Sequence, residues 1–409
     1  MATESVPEVE ELSLDRLRAA HAACAEVVRE TPVLSARSVS RRVGGNIILK
    51  AENLQRTGSF KVRGALNKVR GAGEVRGVVA ASAGNHAQSL AYAARIQRLP
   101  CEVYMPAGAA VSKVGAVEGY GATVHLGGAI VDECLQDARR CAEERGFLFV
   151  HPFDDPDVIA GQAGVGLELV EQVPNLAAIV VPLGGGGLAS GIALAVKQQR
   201  PAVRVVGVQA EQCAAYAESF RAGSPQEVTP GVTVADGIAV KRPGEITLPL
   251  IQRWVDDVVT VSEDEIGAAM VTLINRSKLV VEGAGAAGLA ALLAGKVKPT
   301  AHGSTAVVLS GGNVDAGVLA AVTAHEETLE GRRMRFLTYV SDRPGGLAAL
   351  LELVAGADAN VIEVVHIRDG IDLHVGQTGI QLTVSVRGPE HGDRVIEAVE
   401  AAGYRTVRS

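Results

Sequence analysis

Aromatic residues are scarce, at 3% of 409 positions, and no lysine- or arginine-rich block is interleaved with them. Single-stranded bases stack on rings laid along a basic groove, so a nucleic acid is not expected as a partner. Net charge is -7 with both signs spread along the chain, which favours solubility and argues the same way. No stretch of about 20 uninterrupted apolar residues is present, so no transmembrane helix is expected. The opening MATESVPEVEELSLDRLRAA carries acids where a secretory signal carries bases, and it lacks an apolar core segment. The five cysteines (Cys24, Cys101, Cys134, Cys141, Cys213) show neither the pairing nor the CxxC spacing of a disulfide or zinc framework. Reduced thiols and a cytoplasmic location are expected. His366 and His374 read as surface residues rather than a metal pair.

Apolar residues are plentiful, at 47%, enough for a large core and, at this length, for two or three domains. From about residue 45 to residue 315, short β-branched runs alternate with alanine-rich helical stretches. VRGVVAAS precedes AGNHAQSLAYAARI, CEVYMP precedes VSKVGAVEGYG, and AAIVVPLGGGG precedes LASGIALAVKQQR. Apolar strands separated by helices imply a parallel sheet covered on both faces. Two such clusters, near residues 48–150 and 160–320, predict two α/β lobes with a cleft between them. The charged segment TAHEETLEGRR, residues 323–333, reads as a linker. After it, MRFLTYVSD, RPGGLAALLELVAGAD, ANVIEVVHIRDG, QTGIQLTVSVRG, PEHGDRVIEAVEAAG and YRTVRS spell βαββαβ, the order of a ferredoxin-like unit.

Residues 56–65, RTGSFKVRGA, place Lys61 behind a small-residue turn and Phe60, at the entry to a helix. A surface lysine needs no such setting. An amine held in a partly apolar pocket loses its proton more readily and becomes a nucleophile. In VAASAGNHAQSLAYAAR, Ser82, Ala83, Gly84, Asn85 and His86 lie between a strand and a helix. Unpaired N–H groups there suit an anion such as a carboxylate, while an ordinary cap by Ser82 or Asn85 would look the same in sequence. Gly184, Gly185, Gly186 and Gly187 also join a strand to a helix. Backbone without Cβ atoms can curl and aim several N–H donors at one phosphate. The same letters satisfy G-x-G-x-x-A as Gly184, Gly186 and Ala189, so dinucleotide binding is a second reading, with Gln209 rather than an acid closing the next strand. Ser310 ends the apolar strand of STAVVLSGGNVDAG, where its hydroxyl can meet a ligand or cap a turn.

Together these segments resemble the fold-type II pyridoxal-phosphate enzymes, and among them the threonine dehydratases (threonine ammonia-lyases). The matching stretches are ENLQRTGSFKVRGA, SAGNHAQ, PLGGGGLASG, ADGIAVKRPG, VVEGAGAAGLAAL and VLSGGN, in that order over most of residues 30–320. The tail resembles an ACT domain, an amino-acid-sensing module, through DRPGGLAALLELV and the following ANV. The resemblance implies a two-lobed, tryptophan synthase β-like α/β catalytic domain over residues 1–322 and a ferredoxin-like ACT domain over 334–409. It implies pyridoxal 5'-phosphate as cofactor, held by Lys61 as an internal Schiff base with Phe60 against the ring. Gly184, Gly185, Gly186 and Gly187, with Leu188, would cradle the phosphate. Asn85 would meet the phenolic oxygen and Ser310 the pyridine nitrogen. A hydroxyl does not keep that nitrogen protonated as a carboxylate would, and the weaker electron sink suits β-elimination better than transamination. Ser82, Ala83, Gly84, Asn85 and His86 would hold the substrate carboxylate, and the freed Lys61 amine would take the Cα proton. The implied reaction converts L-threonine to 2-oxobutanoate and ammonia, and L-serine to pyruvate. A serine-preferring dehydratase or a serine racemase is the neighbouring alternative. An NAD-type oxidoreductase or a catalytically silent amino-acid sensor are alternatives of another class.

In the tail, Asp342, Arg343, Pro344, Gly345, Gly346 and Asn360 would bind an amino-acid effector, isoleucine or valine, where two tails pair. That implies a homo-oligomer, a dimer or tetramer, with a coupling of about 1–3 kcal/mol. The related enzymes that bind a divalent cation do so through acids at positions held here by Gln209 and Ala215, so no metal is expected. Serine racemases carry a second serine in the SxGNH loop as a base on the opposite face, and Ala83 stands there instead. Ala83→Ser is therefore expected to gain racemisation of serine. Chiral chromatography that finds no enantiomer would contradict this reading of the loop.

Overall fold

The computed structural model describes residues 12–369 and 373–408. The acidic opening to residue 11, Gly370 at the end of one expected strand, and Ser409 lie outside the described residues. The chain divides into two compact units, Met1–Asp315 and Ala316–Ser409. Among the described residues no helix is long and apolar enough to cross a membrane.

Ten strands of the first unit are β1 (Val33–Ser35), β2 (Asn46–Lys50), β3 (Val78–Ala81), β4 (Cys101–Met105), β5 (Thr123–Leu126), β6 (Leu148–Phe149), β7 (Leu176–Pro182), β8 (Arg204–Ala210), β9 (Asp257–Val261) and β10 (Ser304–Val308). They form two sheets. The smaller is parallel throughout, in the order β5-β4-β3-β6. The larger runs β1-β2-β10-β7-β8-β9, with only the β1–β2 pair antiparallel. Near-continuous apolar runs such as STAVV in β10 are buried on both faces, as a helix-covered parallel sheet demands.

One boundary differs from the sequence expectation, which opens the small lobe near residue 48 and so assigns β2 to it. Strand β2 pairs instead with β10, Asn46 opposite Ser304 through Lys50 opposite Val308, so the strands of the small lobe begin at Val78. The partners lie 258 residues apart, a distance that local periodicity does not carry.

A buried charge cluster ties β2 to two helices. Lys50 Nζ donates to Glu168 Oε2 at 2.5 Å and to the Thr31 carbonyl at 2.7 Å. Arg63 forks onto both oxygens of Glu52, at 2.8 Å each, and onto Glu168 at 2.6 and 3.0 Å. All four side chains are at most 2% exposed. Burial works against the charged form of Glu52, but Arg63, Lys50 and the Thr31 hydroxyl together outweigh it and hold the carboxyl below its ordinary range. Two cations thus balance two anions where no water screens them. Arg63 sits two residues into the helix Lys61–Gly71, so the cluster fixes the start of that helix.

The second unit contains the helix Ala316–Leu329, β11 (Arg333–Ser341), the helix Gly346–Gly356, β12 (Asn360–Ile367), β13 (Gln377–Ser385), the helix Pro389–Ala401 and β14 (Thr406–Arg408). Its sheet has the order β12-β13-β11-β14 with every pair antiparallel. Phe336, Leu350, Val354, Leu382 and Val395 form its core. From β11 onward this is the βαββαβ order read from sequence. The expected linker is different: residues 323–329 continue the helix begun at Ala316. No glycine or proline interrupts that stretch before Gly331, which takes φ +67° and turns the chain into β11.

Glu168→Gln would leave Lys50 and Arg63 with a single buried carboxylate. We expect a loss of about 3–5 kcal/mol in a urea unfolding titration of the full chain. A change below about 1 kcal/mol would mean that the cluster is not a structural anchor.

Candidate active site

Strand ends deliver the site. Ser82–His86 follow β3, Gly184–Leu188 follow β7 and Ser310 follows β10, and all face one cavity of about 890 Å³ together with Phe60 and Lys61. The catalytic, cofactor-binding and substrate-binding residues named from sequence therefore line a single space at the carboxyl ends of parallel strands, where ligands of open α/β sheets bind.

Lys61 is placed by backbone. Ser59 bridges Gly311 in antiparallel fashion, and the Phe60 N–H donates to the Ser310 carbonyl at 3.1 Å. The segment before the lysine is thus stitched to the end of the central strand β10. Lys61 Nζ donates to the Pro152 carbonyl at 2.7 Å and lies 5.3 Å from the centroid of the Phe60 ring. Burial lowers its pKa to about 8, with the Glu282 carboxylate pulling the other way. At pH 7 roughly a tenth of such an amine is neutral, far more than for a free lysine.

The glycine turn is open on its cavity side. The first backbone bond of its helix runs from Ser190 N–H to the Gly186 carbonyl at 2.8 Å, so the N–H groups ahead of it have no intrahelical acceptor. Gly186 takes φ +91°, which a side chain would strain. A Cβ on Gly185 would fall 2.1 Å from the Phe153 ring. The turn can therefore hold an anion, helped by the helix dipole.

The loop after β3 is not an ordinary side-chain cap. Gly84 is the N-cap of the helix Asn85–Gln97 and, among the described residues, no side chain caps its N–H groups, while Ser82 Oγ accepts from the nearby Gly84 N–H at 3.2 Å. His86 turns its ring away into the core, with Nε2 2.9 Å from the Val150 carbonyl. Burial, reinforced by Lys61, pushes its pKa down to about 3, so the ring is neutral and only its backbone can serve a ligand. Asn85 donates to Glu282 Oε1 at 2.7 Å and accepts from Asn313 Nδ2 at 2.8 Å. Asn313 also donates to the Thr57 carbonyl at 2.7 Å. This chain fixes the amide orientation of Asn85 and leaves one of its N–H bonds for a ligand. Burial and Asp236 raise the Glu282 carboxyl to about 7.

Sequence reasoning missed Phe153, Glu282 and Asn313 as site residues. Glu282 and Asn313 stand inside VVEGAG and VLSGGN, stretches that carry the resemblance, so a signal existed; Phe153 has none. In the second unit, Asp342–Gly346 form the turn after β11, with Gly345 at φ +94° and Asp342 paired to Arg368 at 3.0 Å. Asn360 starts β12 opposite Ser385, whereas the turn lies by Gln377. Within one copy the two are at opposite ends of the sheet, on the order of 25 Å apart.

A depressed lysine beside an open helix start suits a phosphorylated carbonyl compound, and the class that the fold and cavity define is an α/β enzyme with its site at the strand ends. Comparison with known proteins specifies it. Residues 25–311 match the family model described as "Pyridoxal-phosphate dependent enzyme", and the chain belongs to that family. It is 42% identical over 397 residues to an L-threonine ammonia-lyase of Thermotoga maritima, covering 96% of this chain and 98% of that one. Among solved structures, a threonine deaminase of T.th. aligns with TM-score 0.71 and 40% identity, covering 74% of this chain and 99% of that one. Maize serine racemase aligns with TM-score 0.73 and 36% identity, over 78% of this chain and 98% of its own. The cofactor is pyridoxal phosphate, and the dinucleotide reading of the glycine run falls.

Capture of the cofactor by the cofactor-free enzyme is expected to use the neutral Lys61 amine. Its rate, followed by visible absorption, is expected to rise up to about tenfold per pH unit below pH 8 and to level off above it. A rate independent of pH between 6 and 8 would contradict the depressed amine.

Proposed function

We propose that this enzyme eliminates water from L-threonine to give an enamine, which takes up water again to yield 2-oxobutanoate and ammonia, and that it converts L-serine to pyruvate in the same way at the same site. The observation that carries the reading is one cavity holding the depressed amine of Lys61, the open glycine turn and, at the position of the racemases' second base, Ala83. Similarity to a threonine ammonia-lyase along nearly the whole chain supports it.

The bound cofactor supplies an electron sink for the pair left when the Cα–H bond breaks. The remaining work belongs to the chain. Lys61 would hold the cofactor through its amine and would accept the Cα proton of the substrate; its lowered pKa keeps the neutral form accessible near neutrality. The N–H groups of Gly184–Gly187 and Leu188 would hold the phosphate, and Phe60 would pack against the ring. The remaining N–H of Asn85 would meet the phenolic oxygen. Ser310 would offer the ring nitrogen a neutral hydroxyl, leaving a weaker electron sink that would favour loss of the β-hydroxyl. Ser82, Ala83 and Gly84, with the backbone of Asn85 and His86, hold the substrate carboxylate at the start of a helix.

The tail, residues 334–409, reads as an ACT regulatory module in a cytoplasmic dimer or tetramer serving isoleucine formation, with isoleucine or valine as effector. The geometry of β12 supports that reading. It is an edge strand carrying exposed Ile362, Val364 and Val365. Antiparallel pairing with a second copy would bring the partner subunit's Asn360 toward the Asp342–Gly346 turn.

Steady-state formation of 2-oxobutanoate from threonine tests the reading, with and without isoleucine and valine. Purified enzyme is expected to show a visible cofactor band that Lys61→Ala abolishes together with turnover. A colourless wild type, or pyruvate from serine with no 2-oxobutanoate from threonine, would overturn it.

A further inference from the structure

The glycine turn is gripped from behind. Tyr216 Oη donates to the Gly185 carbonyl at 2.6 Å, and Thr247 Oγ1 lies 2.9 Å from the same oxygen. The two hydroxyls are 2.6 Å apart, and the Gly244 N–H donates to Tyr216 Oη at 3.0 Å. Both side chains are fully buried, and neither lines the cavity. With Tyr216 donating to the Gly185 carbonyl, the Thr247 hydroxyl has that same carbonyl, Tyr216 Oη and, at 3.4 Å, Asp154 Oδ1 as acceptors, so both hydroxyls converge on the glycine peptide.

That carbonyl belongs to the same rigid, planar peptide as the Gly186 N–H, and the two point in opposite directions. Fixing the carbonyl against Tyr216 and Thr247 therefore fixes the N–H on the other side, and Gly186 lines the cavity. The fit is mutual. A Cβ on Gly186 would fall 2.7 Å from Tyr216 Oη and 2.8 Å from Thr247 Cβ. Thr247 is itself anchored, because the Asp154 carboxylate accepts from the N–H groups of Glu245, Ile246 and Thr247 at 2.8, 3.0 and 3.0 Å. Asp154 follows Phe153, whose ring packs on Gly185. The wall of the cavity and the brace behind it are thus one connected structure.

We infer that Tyr216 and Thr247 are positioning residues for the cofactor phosphate: they hold the Gly185–Gly186 peptide so that its N–H already faces the phosphate before the cofactor arrives. The inference rests on the proposed phosphate cradle at Gly184–Gly187. Preorganisation of this kind removes the ordering that a free glycine run would undergo on binding. Nothing in the local sequence around Tyr216 or Thr247 signals the role.

The test compares two ligands. Cofactor-free full-length enzyme is titrated spectroscopically with pyridoxal 5'-phosphate and, separately, with pyridoxal, which keeps the aldehyde and ring but lacks the phosphate. The ratio of the two affinities measures what the phosphate contributes. Tyr216→Phe and Thr247→Val are each expected to shrink that ratio roughly five- to tenfold, leaving the pyridoxal affinity in place. A ratio equal to that of the wild type in both variants, or an equal fall for both ligands, would overturn the inference and leave the pair as packing alone. A wild type that binds pyridoxal as tightly as its phosphate would instead overturn the cradle on which the inference rests. Thr247→Val keeps the Tyr216 ring and nearly the same volume, so it carries the comparison if Tyr216→Phe fails to fold.

Discussion

Arg63 is the residue whose burial the rest of the active site leans on. Its guanidinium bonds to two carboxylates at once, one from the loop after β2 and one from the helix Gly164–Gln172. A guanidinium cannot shed its proton inside a protein, so it stays only where both anions stay. Because Arg63 lies two residues after Lys61, those anions determine where the Lys61 amine enters the cavity. The antiparallel bridge between Ser59 and Gly311 holds the same segment from its other side. Lys61 and Ser310 are thereby registered to one another through backbone and buried charge, not through flexible side chains.

The chemistry of the cavity follows from what the same burial does to three titratable groups. Desolvation pushes Lys61 down to about 8, Glu282 up to about 7 and His86 down to about 3. In each case the neutral form gains, as expected where water is thin and dielectric low. The outcomes differ because the partners differ. The buried His86 ring on the Val150 carbonyl is pushed far below neutrality and stays uncharged, whereas Lys61 and Glu282, which pull on each other's charge, are left titrating near neutral pH.

Architecture assigns the lobes different tasks. The small parallel sheet presents the Ser82–His86 loop, which the proposed reading gives to the substrate. The large sheet presents the glycine turn and Ser310, which that reading gives to the two ends of the cofactor. Across the mouth, Lys113 reaches Asp236 and Ser112 reaches Asp315, each at 2.8 Å, so side chains from both lobes meet at the rim.

The sequence alone was enough for whatever is written in local pattern. Alternating apolar runs and alanine-rich stretches marked the α/β lobes, the turn letters marked the βαββαβ tail, and short motifs marked Lys61, the SAGNH loop, the glycine turn and Ser310. These are legible because a strand end, a helix start and a Cβ-free turn each need particular residues within a few positions. Tertiary structure decided the rest. It moved β2 into the large sheet, seated the ring of His86 on the Val150 carbonyl, and extended a helix through the expected linker. It also brought Phe153 against Gly185, and set the hydroxyls of Tyr216 and Thr247 on that glycine from 31 and 62 positions further along the chain. The reason is physical: pairing register, burial and a shared proton between distant hydroxyls depend on where the folded chain returns, and neighbouring letters carry no record of that.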